Sequence, residues 1–298
     1  MSSPSRKPIL ITGSHRSGST WIGRIMASAS GVRYVHEPFN LGRRNVRPPL
    51  RYWYEYMGRE SNNLHQKEVL DYVASFCTAN PRAIQKTVSF FKSPIAFLKE
   101  WRSRSLRRTL LKDPLALFSA AWLYHHLPCE VLVSIRHPAA FIASLKVKNW
   151  NFPFQHFAKQ ESLINGWLKE YAQEIEEAAN AHWPIVDQGI LLWNCIYSVV
   201  KQYQDQYQND WYFVKHEDLS RNPEEEFQKI MAFFHLKWEK SIVRKIQKTT
   251  HASSQTEHTR DAKENIHSWK NRLSTEEITK IKEKTVGVWT HFYTEADW

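Results

Sequence analysis

A chain of 298 residues, 42% hydrophobic and 13% aromatic, carries enough apolar matter for a sizeable core, which excludes a disordered polymer. Its 41 Lys and Arg against 30 Asp and Glu give a net charge of +11, a field that favours anionic partners such as nucleotides, sulfated sugars, nucleic acid or membrane surfaces. Three widely spaced cysteines, Cys77, Cys129 and Cys195, argue against a disulfide framework or a zinc site of paired ligands, and no apolar run reaches the ~18 residues of a membrane span.

Ile9 to Thr12 form a short β-branched run that Gly13 punctuates, and the pattern from Trp21 through Met26 is helical, so the chain opens strand, loop, helix. A second strand is predicted over Val32 to Pro38, a surface excursion rich in Pro and Arg follows to Arg51, and Leu64 to Cys77 is predicted helical. Thr109 to Lys112 is a brief strand. Asp113-Pro114 then pairs an N-cap residue with a proline at the first helical position, opening a helix over Leu115 to His126. Glu130 to Ile135 and Ala139 to Lys146 repeat strand and helix across Pro138.

Asn151 to Gln160 is predicted to be a loop, Glu161 to Ala181 and Gly189 to Tyr207 long helices, and Trp211 to Val214 a strand. Asn222-Pro223 starts a helix with acidic residues in its first turn, where the dipole favours them. His251 to His267 carries no period and is predicted to be a loop, and Ser274-Thr275-Glu276-Glu277 has the form of a capping box. Alternating strands and helices predict an α/β fold with a mostly parallel sheet flanked by helices, forming one domain over 1–298. Residues 1–7 are expected to be flexible, and 40–63 and 250–268 to be surface or lid loops. In such a sheet, ligands gather at the carboxyl ends of the strands, so the loops after Thr12, Lys112 and Ile135 should lie close together. Two arginine stretches, Arg43, Arg44, Arg47 and Arg51, and Arg102, Arg104, Arg107 and Arg108, are expected to be solvated basic faces.

Gly13 to Thr20 reads Gly-Ser-His-Arg-Ser-Gly-Ser-Thr between a strand and a helix, the placement that turns backbone N–H groups and the helix dipole toward an anion. It matches a Walker A loop except at the lysine, where Ser19 stands; a cation is present instead at Arg16. A second segment runs Val131 through Arg136-His137-Pro138, with Ser144 eight residues beyond the arginine on the following helix.

Arg16-Ser17-Gly18-Ser19-Thr20-Trp21 resembles the 5′-phosphosulfate loop of sulfotransferases that use 3′-phosphoadenosine 5′-phosphosulfate (PAPS), and Arg136 with Ser144 resembles their 3′-phosphate pair. The resemblance implies a P-loop-like sulfotransferase fold, PAPS as co-substrate and 3′-phosphoadenosine 5′-phosphate as product. His216, in Lys215-His216-Glu217-Asp218-Leu219, stands where that family has a tyrosine against adenine, and Lys270, in Ser268-Trp269-Lys270, is placed as a further 3′-phosphate contact. The family's histidine base is missing after Lys112, whereas His36-Glu37-Pro38 resembles the Glu-Pro element of carbohydrate-type and bacterial members.

The resemblance therefore implies Glu37 as general base, with partial burial expected to raise its carboxyl toward neutrality, and His36 as a lesser alternative. Lys112 is placed to stabilise the transferring group, Asp113 to cap the helix after it. No metal is implied, and His125-His126 lack ligand spacing. The expected acceptor is a small molecule or carbohydrate with a hydroxyl or amine; no nucleic-acid partner is expected, and oligomeric state is not legible. A cytoplasmic location fits reduced thiols and the short polar start. Two other classes compete: a divergent P-loop ATP-dependent kinase, which requires tight ATP and Mg²⁺ binding, and a non-catalytic basic module for polyanions, which requires steep salt dependence.

Overall fold

The computed structural model describes residues 7–43, 47–58, 63–81, 84, 93–250 and 266–298. Most of the loop expected over 250–268, the flexible start and parts of 40–63 lie outside the described residues. Five strands, β1 (Ile9–Gly13), β2 (Val32–His36), β3 (Arg108–Lys112), β4 (Glu130–Ile135) and β5 (Tyr212–Lys215), form one parallel sheet in the order β2-β3-β1-β4-β5. The architecture is the expected α/β one. β1 is central, with β3 on one side and β4 on the other, so the chain crosses it between β3 and β4 and leaves a crevice at its carboxyl end.

The short apolar runs form strands because both faces of the sheet are covered, which removes any requirement for polar alternation. Ile9 and Ile11 point into one core with Leu110, Leu132 and Val214; Leu10 points into the other with Leu111, Val131 and Val133. The first core is closed by Ile22 and Ile25 of the helix Ser19–Met26, Phe227 and Ile230 of Pro223–Phe233, and Ile242 and Ile246 of Lys240–Thr250. The second is closed by Pro138–Lys148 and the 23-residue helix Ile185–Tyr207, whose Gly189 lets Ile142 approach closely.

Several expected elements differ in detail, each for a local reason. β2 stops at His36 because Glu37 adopts a positive φ of 45°, outside the extended region, while its N–H still reaches Lys112 O at 2.8 Å. The helix after Asp113 begins as a 3₁₀ turn, Pro114–Ser119, before Ala120–His126. The long helix expected over Glu161 to Ala181 is broken into Glu161–Ile164, a 3₁₀ turn Lys169–Tyr171 and Ala172–Asn180. Asn165-Gly166 lies at the break, where glycine weakens a helix interior. The loop expected over Asn151 to Gln160 contains the single turn Gln155–Ala158, and the last strand is displaced by one residue. An unforeseen helix, Pro94–Leu106, starts at Ser93, whose hydroxyl accepts from Ala96 N–H at 3.2 Å. Ser274 and Glu277 form the expected capping box. No helix among the described residues is long and apolar enough to cross a membrane.

The second arginine stretch is not a uniform solvated face. Arg102 and Arg107 are exposed, but Arg104 and Arg108 are buried. Arg104 pairs with Glu100 and donates to Ser75 O. Arg108 pairs with Glu130 and donates to Lys7 O at 2.6 Å and Phe234 O at 2.5 Å. The five-donor fork suits this role, because a buried guanidinium is tolerated only when its N–H groups are satisfied. Arg108→Ala should destabilise the protein by about 3–5 kcal/mol, since it strands Glu130 and two carbonyls, whereas Arg102→Ala should stay within about 0.5 kcal/mol. Urea denaturation of both variants checks this; equal midpoints would show that Arg108 holds nothing.

Candidate active site

The loop after β1 keeps its shape through two close approaches. Gly13, at φ 135°, lies so near β4 that a Cβ there would sit 2.3 Å from Ser134 O. Gly18, at φ 88°, lies against His216, where a Cβ would sit 2.3 Å from Nδ1. Only glycine meets both the conformation and the space. Between them Arg16 is also left-handed, at φ 63°. Hydroxyls tie the loop down: Ser17 donates to Ser14 O at 2.6 Å and lies 2.5 Å from Ser134 Oγ, and Ser14 Oγ lies 2.8 Å from Tyr197 OH. The helix Ser19–Met26 then starts at Gly18 without a side-chain cap, so the first-turn N–H groups at Ser19 and Thr20 receive no bond from the cap residue. Trp21 packs edge-on against Phe227 and donates to Thr249 at 3.0 Å.

The two sequence signatures meet across this loop. Arg16 Nε donates to Ser144 Oγ at 2.8 Å, and Arg136 Nη1 donates to Arg16 O at 3.3 Å. Arg136 is oriented from behind by Glu217, 96% buried, whose Oε1 lies 3.7 Å from Arg136 Nε and accepts from His137 N–H at 3.1 Å. Tyr293 donates to the other oxygen of Glu217 at 2.9 Å. Glu217 lies inside the motif Lys215-His216-Glu217-Asp218-Leu219, but its part in orienting Arg136 carries no signal in the sequence, and nothing local marks Tyr293. His216 lies behind Gly18 with Nδ1 buried and unpartnered, and burial, reinforced by Arg136, drives its imidazole well below the usual histidine range. Lys270 is exposed, with its ammonium 5.2 Å from the Trp269 ring, on a 3₁₀ turn packed against the helix that carries Ser144. Trp269 in turn stacks on His137.

On the other side of the loop, Lys112 is buried to 1% exposure and pairs with Glu37 Oε1, while Asn40 donates to Oε2 at 2.9 Å. His36 is exposed and stands 3.8 Å from Oε2. The expected rise of the Glu37 carboxyl does not occur. Burial pulls it upward, but the charge and hydrogen bond of Lys112, with Asn40, outweigh burial and hold it below the usual glutamate range. Asp113 is the carboxyl that burial raises, to about 7, against two backbone N–H bonds from Phe39 and Leu115 that favour its charged form. It caps the 3₁₀ turn as expected.

A cavity of about 140 Å³ opens beside Glu37, walled by Trp53, Trp150, Phe152, Pro114 and Leu115. Glu37 and Asn40 line it with His15, a loop residue that sequence reasoning passed over although it sits between the two signature serines Ser14 and Ser17. Tyr54 OH accepts from His15 N–H at 3.1 Å and lies 2.7 Å from His15 Nδ1, so the hydroxyl gives its own proton to Nδ1. Burial, reinforced by Arg16, pushes the imidazole down to about 3, so His15 is neutral with its proton on Nε2. Tyr54 is 39 residues away in an irregular segment, and nothing periodic marks it. Among the described residues no cluster of His, Cys, Asp and Glu has the form of a metal site.

A family model described as the sulfotransferase family matches residues 8–240. No curated protein matches the chain. Among solved structures, the chain is similar to the sulfotransferase domain from the curacin biosynthetic pathway, at 14% identity and a TM-score of 0.48, covering 95% of this chain and 99% of that one. It is also similar to the mouse sulfotransferase SULT7A1 complexed with PAP, at 10% identity and a TM-score of 0.49 over 98% and 87% of the two chains. A sulfotransferase from Alicyclobacillus acidocaldarius gives 14% identity and 0.44 over 98% and 99%.

The two glycine environments differ enough to separate strain from collision. Gly31, at φ 80°, has nothing within 4 Å of a Cβ, whereas Gly18 has His216. Gly31→Ala should cost about 1–2 kcal/mol from the left-handed backbone alone, and Gly18→Ala a further ~1–3 kcal/mol from overpacking. In a double-mutant cycle by urea denaturation, His216→Ala should relieve only the second part; a purely additive cycle would show that the ring and the loop do not press on each other.

Proposed function

The chain belongs to the sulfotransferase family, and we propose that it transfers a sulfuryl group from PAPS to a hydroxyl or amine of an acceptor, releasing 3′-phosphoadenosine 5′-phosphate. The observation that carries the proposal is the junction of Arg16, Ser144 and Arg136 beside an uncapped helix start. Two guanidiniums and a hydroxyl at one end of a line of open N–H groups suit a ligand with separate anionic groups on its 3′ and 5′ sides. A P-loop kinase is less well served, because Ser19 occupies the Walker lysine position and Lys112 is already paired with Glu37.

The donor supplies an activated phosphosulfate bond. In the proposed reaction the acceptor oxygen forms a bond to sulfur as the bridging bond to the phosphate breaks in line, and the electron pair leaves with the bisphosphate. Arg16 and the N–H groups of Ser17, Gly18, Ser19 and Thr20 neutralise the charge that develops on the leaving oxygen. Arg136, held by Glu217, and Ser144 bind the 3′-phosphate, with Lys270 as an outer contact; Trp21 and His216 back the nucleotide side of the loop.

Glu37 takes the acceptor proton. Its pairing with Lys112 makes it a weak base while the site holds no anion. A sulfuryl group beside Lys112 competes for the ammonium, and as that pairing loosens the carboxylate regains basicity where the proton must go. Base strength and donor binding are thereby coupled through one lysine.

Arg136→Ala should weaken 3′-phosphoadenosine 5′-phosphate by about 10- to 100-fold, the size of a lost charge-assisted contact, and change AMP by less than about 3-fold. Calorimetric titration decides, and equal losses for both ligands would refute the 3′-phosphate assignment. Glu37→Gln should lower kcat by about 10²–10⁴-fold with affinity for the bisphosphate product nearly intact; an unchanged kcat moves the base elsewhere. Because the folded carboxyl sits below its ordinary value of 4.5, it stays charged above that pH and gains a proton only as pH falls through the depressed value. The acid limb of kcat/KM should therefore lie below about 4.5 in the pH profile.

A further inference from the structure

Beyond the donor, the cavity beside Glu37 has a chemistry of its own. Among the described residues that line it, Glu37 carries the only charge and none is Lys or Arg, in a chain of net charge +11. Lys112, beside Glu37, is already paired with it. A carboxylated or sulfated acceptor would face a carboxylate without a counter-ion. A sugar would find His15, Glu37, Asn40 and Asn151 as its polar partners and would set its remaining hydroxyls against Trp53, Trp150, Phe152, Pro114 and Leu115, where they lose water without gaining hydrogen bonds.

The size and polarity favour one aromatic ring. A cavity of about 140 Å³ is close to the ~150 Å³ apolar cavity known to hold benzene, and three aromatic side chains supply edges and faces for a ring to pack on. Its polar end is also specific. His15, with Nδ1 occupied by the Tyr54 hydroxyl, keeps a proton on Nε2 to donate, while Glu37 accepts. A hydroxyl placed between them accepts one hydrogen bond and gives up its proton to the other group, which leaves a lone pair for sulfur. An alkylammonium lacks that lone pair.

Resting on the sulfotransfer reading above, we propose that the acceptor is an uncharged, single-ring aromatic alcohol or phenol, seated among Trp53, Trp150 and Phe152 with its hydroxyl between His15 and Glu37. His15 acts here as a positioning donor and Glu37 as the base, so the proton leaves the hydroxyl for Glu37 as the oxygen–sulfur bond forms.

The test uses the full chain with PAPS and follows bisphosphate release with 4-methylphenol, benzyl alcohol, 4-hydroxybenzoate and methyl glucoside as acceptors. One of the two uncharged ring compounds should exceed both 4-hydroxybenzoate and methyl glucoside in kcat/KM by about 100-fold, the size of a buried charge or several unpaired hydroxyls. Trp150→Ala should raise the KM for the preferred ring about 10-fold while leaving the affinity for 3′-phosphoadenosine 5′-phosphate unchanged. Preference for the glucoside or the carboxylate, a Trp150→Ala variant with unaltered KM, or bisphosphate binding with no transfer to either uncharged ring compound would overturn the acceptor assignment alone. A chain that shows no thermal shift with 3′-phosphoadenosine 5′-phosphate and no transfer to any acceptor would overturn the sulfotransfer reading with it.

Discussion

The loop after β1 holds its course only because two backbone positions carry no side chain. Gly13 admits the backbone of Ser134 and Gly18 admits the ring of His216, each at a distance where a Cβ cannot stand. These contacts reach in different directions, one to the end of β4 and the other to the residue that follows β5. The loop is thus clamped to two neighbouring strand ends at once, and Arg136 and Glu217, which follow those same strands, are fixed relative to Arg16 without any direct charge pairing between the arginines. Ser14 and Ser17 add hydroxyl ties to Tyr197 and Ser134. The parallel sheet makes this possible, because all five strands deliver their following residues to one edge.

Charge at that edge is arranged as buried pairs, which seldom add much net stability. Lys112 with Glu37, and Arg136 with Glu217, are better understood as orientation devices. Each presents a cation whose partner comes from a different strand end: Lys112 closes β3 and Glu37 follows β2, Arg136 follows β4 and Glu217 follows β5. Both cations are thereby held largely buried and in a fixed direction. The contrast with Arg104 and Arg108 is instructive, since their N–H groups are directed to carbonyls and acids of the scaffold, so the excess of basic residues does not translate into one continuous basic surface.

The sheet was legible because buried parallel strands write themselves as apolar runs, as at Ile9 to Thr12 and Glu130 to Ile135, and because Asp113-Pro114 and Ser274 through Glu277 carry capping chemistry in fixed order. The loop from Gly13 to Thr20 and the pair Arg136 and Ser144 stand out in the sequence by spacing, and Glu37 by the resemblance of His36-Glu37-Pro38 to a family element; the structure brings Arg16, Ser144 and Arg136 together. What stayed hidden depends on contacts between distant segments. The inward turn of Arg108 follows from Glu130 and Phe234, which no local pattern links to it. The tautomer of His15 follows from Tyr54, and the lowered carboxyl of Glu37 follows from Lys112, 75 residues away, outweighing the burial that sequence reasoning had counted on. Helical periodicity runs through 161–181, but the helix is interrupted after Ile164, at Asn165-Gly166.

Adjacent residues of the loop face opposite duties. His15 bonds to Tyr54 and lines the apolar cavity on the β2–β3 side, while Arg16 bonds to Ser144 and meets Arg136 on the β4–β5 side. The left-handed backbone at Arg16 is what turns consecutive side chains to separate sides, at a cost that the clamps at Gly13 and Gly18 sustain. For in-line transfer, the nucleophile must approach the sulfur from the side opposite the leaving oxygen. Under the proposed transfer, Arg16 on the nucleotide side and His15 on the cavity side would meet that demand over a single peptide bond. The crossing of the chain over β1 therefore separates the side of Arg16, Ser144 and Arg136 from the side of the cavity, and the positive φ of Arg16 lets adjacent residues serve both.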